Sequence, residues 1–458
     1  MRPNILYLHC HDAGRYIEPY GHAVSTPGLR RLASEGVLFR QAFCAGPTCS
    51  PSRAGLLTGQ ACHSSGMYGL AHLGWSLNDY RQHLIHTLKS VGYHTAIAGV
   101  QHVANFEREG CELDVIGYDE KLDGRNGGTH ENSRVVADRG TANAAAEYLR
   151  TAAPGDRPFF LSVGFIMPHR VFARAEAQRA CEDPRFVRPP SPLPDLPEIR
   201  QDMADYNSSA CIMDACCDKV LAALEASGLA EKTLVIATTD HGIAFPQMKA
   251  SLKDHGTGVY LIMRGPGGFS GGKEVDALIS QIDLFPTLCD LLGIKQPQWL
   301  QGKSFLSVVR GTTNEVNQEI FAETNYHTAY EPQRSIRTKR WKLIKRFDPE
   351  WTSRVGANCD DGPSKERLIK EGWLAHELPG VELYDLLFDP QESRNRAQDQ
   401  ELAQVRKDLE RQLHAWMRRT GDPLLDGPID LPTEGTMWPV DVASIEDCVA
   451  GKKKFAAD

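Results

Sequence analysis

The sequence predicts an α/β fold: a large, mostly parallel central sheet flanked by helices, followed by a smaller C-terminal antiparallel α+β domain. Three observations carry this. Short apolar runs of strand length alternate with segments of helical character through the first 325 residues, as strands and crossover helices of a parallel sheet do. Two of the runs end in titratable residues, His11-Asp12 and Asp240-His241, and ligands of open α/β sheets gather at the carboxyl ends of strands. Near residue 325 the character changes to paired strands around a basic turn. The expected division is therefore 1–325 for the α/β domain, 326–420 for the small domain and 421–458 for an extended tail.

In chain order, Ile5–Leu8 is a short apolar run suited to a central strand. Pro27–Glu35 predicts a helix capped by Thr26 and ended by Gly36, and Val37–Phe43 a second strand. Ser50 suits an N-cap and Pro51 the first helical position, so Ser52–Thr58 predicts a short helix. Leu84–Val91 predicts a helix, Tyr93–Ala98 a strand, Asn143–Leu149 a helix and Pro158–Val163 a buried strand. The Pro-rich segment 183–197 predicts an irregular loop. A longer helix over Ala210–Ala226, strands at Leu234–Thr238 and Val259–Met263, and a helix near Asp283–Leu292 complete the large domain. Beyond it, Arg334–Arg337 and Trp341–Phe347 predict two strands joined by Thr338-Lys339-Arg340. Val381–Leu386 predicts another strand and Gln400–Arg418 an amphipathic helix. The Pro/Gly/Asp-rich chain after Thr420 predicts an arm across the body or a neighbouring subunit, and a homo-oligomer is left open.

Bulk properties narrow the function. A net charge of −8 offers no basic field for nucleic acid. No apolar run is long enough to span a bilayer. If Met1 is the native start, the first apolar run is too short for a signal peptide, and a cytoplasmic location is expected. The twelve cysteines are scattered without CxxC spacing, which favours reduced, buried thiols over a disulfide framework.

The most informative stretch is Cys49-Ser50-Pro51-Ser52-Arg53-Ala54-Gly55-Leu56-Leu57-Thr58-Gly59. It places Cys49 just before a helix N-terminus, where unpaired N–H groups and the dipole favour an anion. Arg53, about one turn along, can fold back toward the same anion. Taken alone, Cys49 also fits a buried structural thiol. Asp12 and Asp240, at two strand ends, are oxygen ligands of the kind hard divalent ions take; ordinary turn chemistry is the alternative.

The Cys-x-Pro-x-Arg core with its Leu-Thr-Gly end resembles the signature of the type I sulfatases, members of the alkaline phosphatase superfamily. The resemblance continues through His63, Gly66-Met67-Tyr68-Gly69-Leu70, Gln101-His102-Val103, Pro168-His169-Arg170 and Asp240-His241-Gly242-Ile243 with Phe245-Pro246. It extends to Leu383-Tyr384-Asp385 and Asp389-Pro390-Gln391-Glu392. Within the family it is most similar to the heparan N-sulfatase (sulfamidase) branch and its bacterial relatives. It implies that Cys49 is oxidised to formylglycine by a formylglycine-generating enzyme and that the hydrated aldehyde attacks sulfur. It implies one divalent metal, calcium by family habit with manganese as the alternative, held by His11, Asp12, Asp240 and His241. By position, His102 matches the histidine that assists the formylglycine hydroxyls. His169 matches the one that contacts sulfate and protonates the leaving group, and Lys249 a sulfate-binding basic residue.

Two departures stand out. The first acidic metal ligand is replaced by His11, which favours manganese or zinc relative to calcium. The family lysine two positions before His102 is Val100, with Lys253 or Arg170 as candidate substitutes. The implied substrate is a sulfated small molecule or glycan. Arg334, Arg337, Lys339, Arg340, Lys342, Lys345 and Arg346 offer a basic rim for it, or simply a solvated hairpin face. Trp351 and Trp373 offer sugar-stacking rings, or core. The rival readings are a phosphodiester or phosphonate monoester hydrolase of the same superfamily and a non-catalytic sulfated-glycan binder.

Overall fold

The computed structural model describes residues 2–124, 133–151, 157–173, 183–348, 352–444 and 455–456. The strands of the first 280 residues are β1 (Asn4–Cys10), β2 (Val37–Phe39), β3 (Ala42–Phe43), β4 (His94–Gly99), β5 (Glu120–Leu122), β6 (Phe159–Gly164), β7 (Thr233–Thr239), β8 (Leu261–Arg264), β9 (Lys273–Val275) and β10 (Ile279–Ser280). Eight of them form one sheet in the order β5-β4-β6-β1-β7-β8-β2-β9. From β5 to β7 every pairing is parallel. β8 runs antiparallel to both neighbours, and β2 pairs β9 in parallel.

Alternation along β1 shows how the sheet is buried on both faces. Ile5 and Tyr7 pack into one cluster with the helices Leu84–Ser90 and Leu284–Leu292. Leu6 and Leu8 point the other way, against Pro27–Glu35, Ser133–Thr151 and Pro197–Ala226. A period of two on a strand with helices on either side leaves no polar face.

Several elements depart from the sequence expectation. The strand expected over Val37–Phe43 divides: β2 joins the large sheet, while β3 pairs with β10 in a separate ribbon. Between them Arg40 reaches outward to Glu274 and Asp276, which a continuous buried strand would not allow. The helix expected from Ser52 begins at Cys49, with Thr48 extended in the cap position. Ser50 does not cap; its Oγ accepts from Ala71 N at 3.0 Å. The helices expected over 143–149 and 210–226 run over Ser133–Thr151 and Pro197–Ala226. In the second, buried Asp202, Asn207 and Ser209 break the apolar periodicity. Tertiary partners meet each of them: Asp202 accepts from Arg170, Ser209 Oγ from Ala173 N, and Asn207 Nδ2 donates to Ala23 O.

β11 (Glu319–Tyr326), β12 (Tyr330–Thr338), β13 (Trp341–Arg346) and β14 (Val381–Asp385) form the second sheet, antiparallel throughout. The helix Ala403–Thr420 covers it, with Leu409, Leu413, Trp416 and Met417 against Ile336, Leu343 and Leu383. Ala54 and Met67 of the large domain share that cluster, so the helix carrying Cys49 is wedged between the two sheets. After Thr420 the chain turns back over its own body: Trp438 N donates to Thr328 O at 2.7 Å, and Trp438 packs beside Cys49. Among the described residues no helix is long and apolar enough to cross a membrane.

Candidate active site

β6, β1 and β7 are neighbours, so the segments leaving their carboxyl ends converge. Asp12 follows β1, Asp240 and His241 follow β7, His169 follows β6, and His102 follows β4. Asp12 and His102 sit at left-handed backbone angles, φ 52° and 58°, a conformation residues with a Cβ adopt uncommonly and one that clusters at functional sites. The structure brings all nine sequence-named residues together around the N-terminus of helix Cys49–Thr58.

Donor atoms of His11, Asp12, Cys49 and Asp240 lie within 4.8 Å of one another, as do those of His11, Cys49 and His102. Asp240 is held from several sides. Its Oδ1 accepts from the backbone N of Asp12 and of His241, both at 2.9 Å, and its Oδ2 accepts from Arg53 Nη2 at 3.1 Å. His11 Nδ1 is also 3.1 Å from Oδ2, in ion-pair range but off the line of a hydrogen bond. Arg53 does fold back: it also donates to Cys10 O at 2.9 Å and to His9 Nδ1 at 2.5 Å. Burial opposes ionisation of Asp240, but His241 and Arg53 outweigh it and hold its carboxyl well below the usual range.

His241 Nδ1 lies 3.0 Å from Gly242 O. A carbonyl only accepts, so Nδ1 carries a proton and Nε2 is the nitrogen turned inward. Nε2 is 3.4 Å from Asp12 Oδ1, which has no hydrogen-bond partner, and 3.4 Å from the Cys49 thiol, which can donate to it. A cation bound here would take the unpartnered Asp12 oxygen and the Nε2 lone pair together. Burial lowers His11 to about 4, so its imidazole is neutral and free to ligate.

Lys249 Nζ donates to Asp12 Oδ2 at 3.1 Å and lies 3.5 Å from His169 Nε2. Burial alone would discharge it; Asp12 and Asp360 outweigh that and hold the ammonium charged, well above the lysine range. His169 Nδ1 donates to Arg170 O at 2.6 Å, which leaves Nε2 facing Lys249 and Asp12. Burial lowers His169, with Asp12 and Asp360 pulling the other way. His102 is lowered well below the usual range by burial and then by His11 and His72, and so is a neutral acceptor. The Cys49 thiol, 2% exposed, is pushed far up by burial; unmodified, it is no nucleophile near neutral pH.

Some residues of the site carry no local sequence signal. Asp360 comes from beyond the second sheet's third strand and pairs with Lys249 at 2.9 Å. His72 Nδ1 meets His102 Nε2 at 3.1 Å. Arg134 donates to His169 O at 3.0 Å and brings a further cation beside that histidine. The two substitutes named for the lysine missing at Val100 are occupied elsewhere: Arg170 forks onto Asp202 at 2.7 and 2.6 Å, and Lys253 donates to Glu392 O.

The basic rim does not form. Arg334 is fully buried on Asp422, Arg337 and Lys342 share Asp254, and Arg346 pairs with Glu331. Exposed Lys339 pairs with Glu315 and Arg340 with Asp385, and Lys345 Nζ lies 3.2 Å from His414 Nε2. Trp373 is buried, and Trp351 lies outside the described residues. No disulfide joins any of the ten described cysteines to another.

A parallel α/β sheet whose strand ends gather a Cys-headed helix, two carboxylates, buried cations and several histidines defines a hydrolase of anionic esters. Residues 3–294 match the Sulfatase family, and residues 248–353 match the family described as N-sulphoglucosamine sulphohydrolase, C-terminal. Human N-sulphoglucosamine sulphohydrolase is 30% identical over 93% of this chain and 92% of its own. A solved 2-O glycosaminoglycan sulfatase superposes with a TM-score of 0.72 at 22% identity, over 98% of this chain and 100% of its own. The phosphonate monoester hydrolase of Agrobacterium radiobacter shares the fold too, with a TM-score of 0.68 at 22% identity over 95% and 99%. The chain belongs to the sulfatase family and is a sulfuric ester hydrolase by class.

Proposed function

We propose that the protein hydrolyses a sulfamate or sulfate ester on a sulfated sugar, with position 49 matured to formylglycine and one divalent cation held by Asp12, Asp240 and His241, with His11 beside them. The observation that carries this is the convergence beside Cys49 of Asp12 Oδ1, which no donor reaches, with Asp240 and His241 Nε2. When present, the cation and the matured side chain supply Lewis acidity and a nucleophilic oxygen.

The remaining work falls to the chain's own groups. Lys249 and the helix N-terminus offset charge on the non-bridging sulfate oxygens. Arg53 holds Asp240 and, through it, the geometry of the cation site. His169 Nε2 faces the reacting centre and, once the ring takes up a second proton there, passes it to the departing amine or alcohol. His102, kept neutral, accepts a proton from position 49. His11 brings nitrogen into the cation site, which makes manganese at least as good as calcium. Because Cys49 is 2% exposed in the folded chain, a formylglycine-generating enzyme has to reach it before folding closes the site.

The test pairs intact-mass analysis of residue 49 with a product-detected screen on N-sulfated and O-sulfated sugars, run beside phosphate and phosphonate monoesters. Sulfate release at least about tenfold faster than phosphate release is expected. Faster turnover of the phosphorus esters would overturn the reading.

A further inference from the structure

Behind the loop that carries Asp12 lies a cavity of about 1040 Å³ that none of the nine site residues lines. Its walls are the continuation of that loop, Arg15 and Tyr16; the pair Asp254-His255; and part of the Pro-rich segment, including Phe186 and Arg188. The volume is at the upper end of small-molecule sites, which run to about 1,000 Å³.

The charges on its walls do not cancel. Each lining carboxylate already has a cation: Asp195 has Arg200, Asp254 has Arg337 and Lys342, and Asp276 has Arg40. Lining Lys339 is paired with Glu315. Arg15 and Arg188 form no ion pair with a carboxylate among the described residues, Arg188 acting on Asp195 only from a distance. Arg15 is half-buried, lies 4.3 Å over the Phe43 ring and donates from Nη2 to Ala42 O, while its Nε has no partner. Burial pulls the Arg15 guanidinium below its ordinary range, only partly offset by Asp254. His255 Nε2 is also buried without a partner, its Nδ1 being 2.9 Å from Tyr16 OH. At the rim, Phe186 stands 81% exposed.

We propose that this cavity binds an oxyanion, a sulfate or carboxylate group carried by a saccharide or free as inorganic sulfate. Arg15 and Arg188 are its charged contacts, His255 Nε2 a polar contact on the wall, and Phe186 packs on the sugar ring. A guanidinium short of counter-charge in a half-buried wall gains a charge-assisted hydrogen bond from such a ligand, and an exposed aromatic face at the rim supplies the apolar contact a sugar ring offers.

The cavity shares backbone with the active site. Gly14 N donates to His241 O at 2.8 Å, and Gly242 N donates to Gly256 O at 2.8 Å. Gly242 cannot carry a Cβ, which would lie 2.0 Å from His255 O. A ligand on Arg15 and His255 therefore presses on the same two loops that position Asp12 and His241. The proposal does not rest on the chemistry proposed above, since it is read by binding in a protein that cannot turn over.

The test is calorimetric titration of Cys49→Ala protein with inorganic sulfate and, separately, with a sulfated disaccharide, repeated after adding Arg15→Gln or Arg188→Gln. Both ligands also enter the site at residue 49. The cavity event is the one the arginine substitutions weaken, while kcat/KM on a small aryl sulfate, measured in the Cys49 background, stays unchanged. A loss of about fivefold or more in affinity is expected from each substitution. Weakening for both ligands marks a bare oxyanion site, and weakening for the disaccharide alone marks a glycan site. Exposed Arg188 tests the idea even if Arg15→Gln disturbs packing under Phe43. Unchanged affinity for both ligands in Arg188→Gln and in folded Arg15→Gln overturns the proposal.

Discussion

Lys249 and Asp360 form an ion pair at 2.9 Å that joins the active-site edge of the large sheet to a segment more than a hundred residues later. The same ammonium bonds Asp12, so it is held between two carboxylates, one of them in the proposed cation site. Binding a cation there withdraws part of Asp12's charge from Lys249 and leaves Asp360 as its main anchor. Lys249→Met is therefore expected to lower kcat/KM by about 10²–10³-fold, the scale of a lost transition-state cation contact. Asp360→Asn, which leaves the lysine in place, is expected to cost about tenfold. Wild-type kcat/KM in Lys249→Met would rule out its contact with sulfate.

Chelation followed by readdition of metal is expected to remove and restore activity, because Asp12 Oδ1 has no hydrogen-bond partner and faces His241 Nε2 at 3.4 Å. Equilibrium dialysis against equal calcium and manganese, read by elemental analysis, gives a second measure. Manganese uptake is expected to match or exceed calcium in the native sequence. His11→Asp is expected to shift the ratio about tenfold toward calcium, since a carboxylate suits the harder ion. An unchanged ratio would place His11 outside the coordination sphere.

His169 Nε2 faces Lys249 and Asp12 while Nδ1 is tied to Arg170 O. If the proton it carries goes to the leaving group, His169→Ala should cost about 10²–10⁴-fold on a sugar alcohol or amine. An activated aryl sulfate needs little protonation and should lose far less. Matched kcat/KM values on the two substrates decide; equal losses mean that His169 only binds sulfate.

Stability at low pH should depend on Glu323, buried where the helix after Gly59 meets the second sheet. Its Oε1 accepts from His63 N at 3.0 Å and lies 2.9 Å from His63 Nδ1, with Arg334 3.5 Å from Oε2. Burial opposes its charge, but His63 and Arg334 outweigh it and bring the carboxyl down to about 2 from an ordinary 4.5. A depressed carboxyl contributes stability that is fully present above its unfolded value and lost as pH falls through the folded one. Melting temperature should therefore drop between about pH 4.5 and pH 2. Glu323→Gln, less stable at neutral pH, should show a shallower drop over that window. Parallel curves for the two proteins would remove Glu323 from the acid limb.

Much of this was legible in the residue order. The alternation of apolar runs and helices determined the parallel sheet, because a strand buried on both faces must be apolar throughout and must be followed by something that covers it. The run from Cys49 to Gly59 determined a short helix with Cys49 at its N-terminal end and Arg53 near its start, but not that the helix begins at Cys49 itself, because Ser50 turns to Ala71 instead of capping. The polar ends at His11-Asp12 and Asp240-His241 determined that strand ends would carry the chemistry. These are local signals, written in spacing and residue type over a dozen positions or fewer.

Tertiary structure alone decided what lies across from them. Asp360, His72, Arg134 and Trp438 reach the site by chain reversals that no short-range period encodes. The same holds for the charges of the second sheet. A basic hairpin looks like a surface in one dimension, yet Arg334, Arg337 and Lys342 turn inward because Asp422 and Asp254 arrive from distant segments to neutralise them. Whether a charge faces solvent or a buried partner depends on what folds against it, and a cation is buried only where a carboxylate and hydrogen-bond acceptors offset its desolvation.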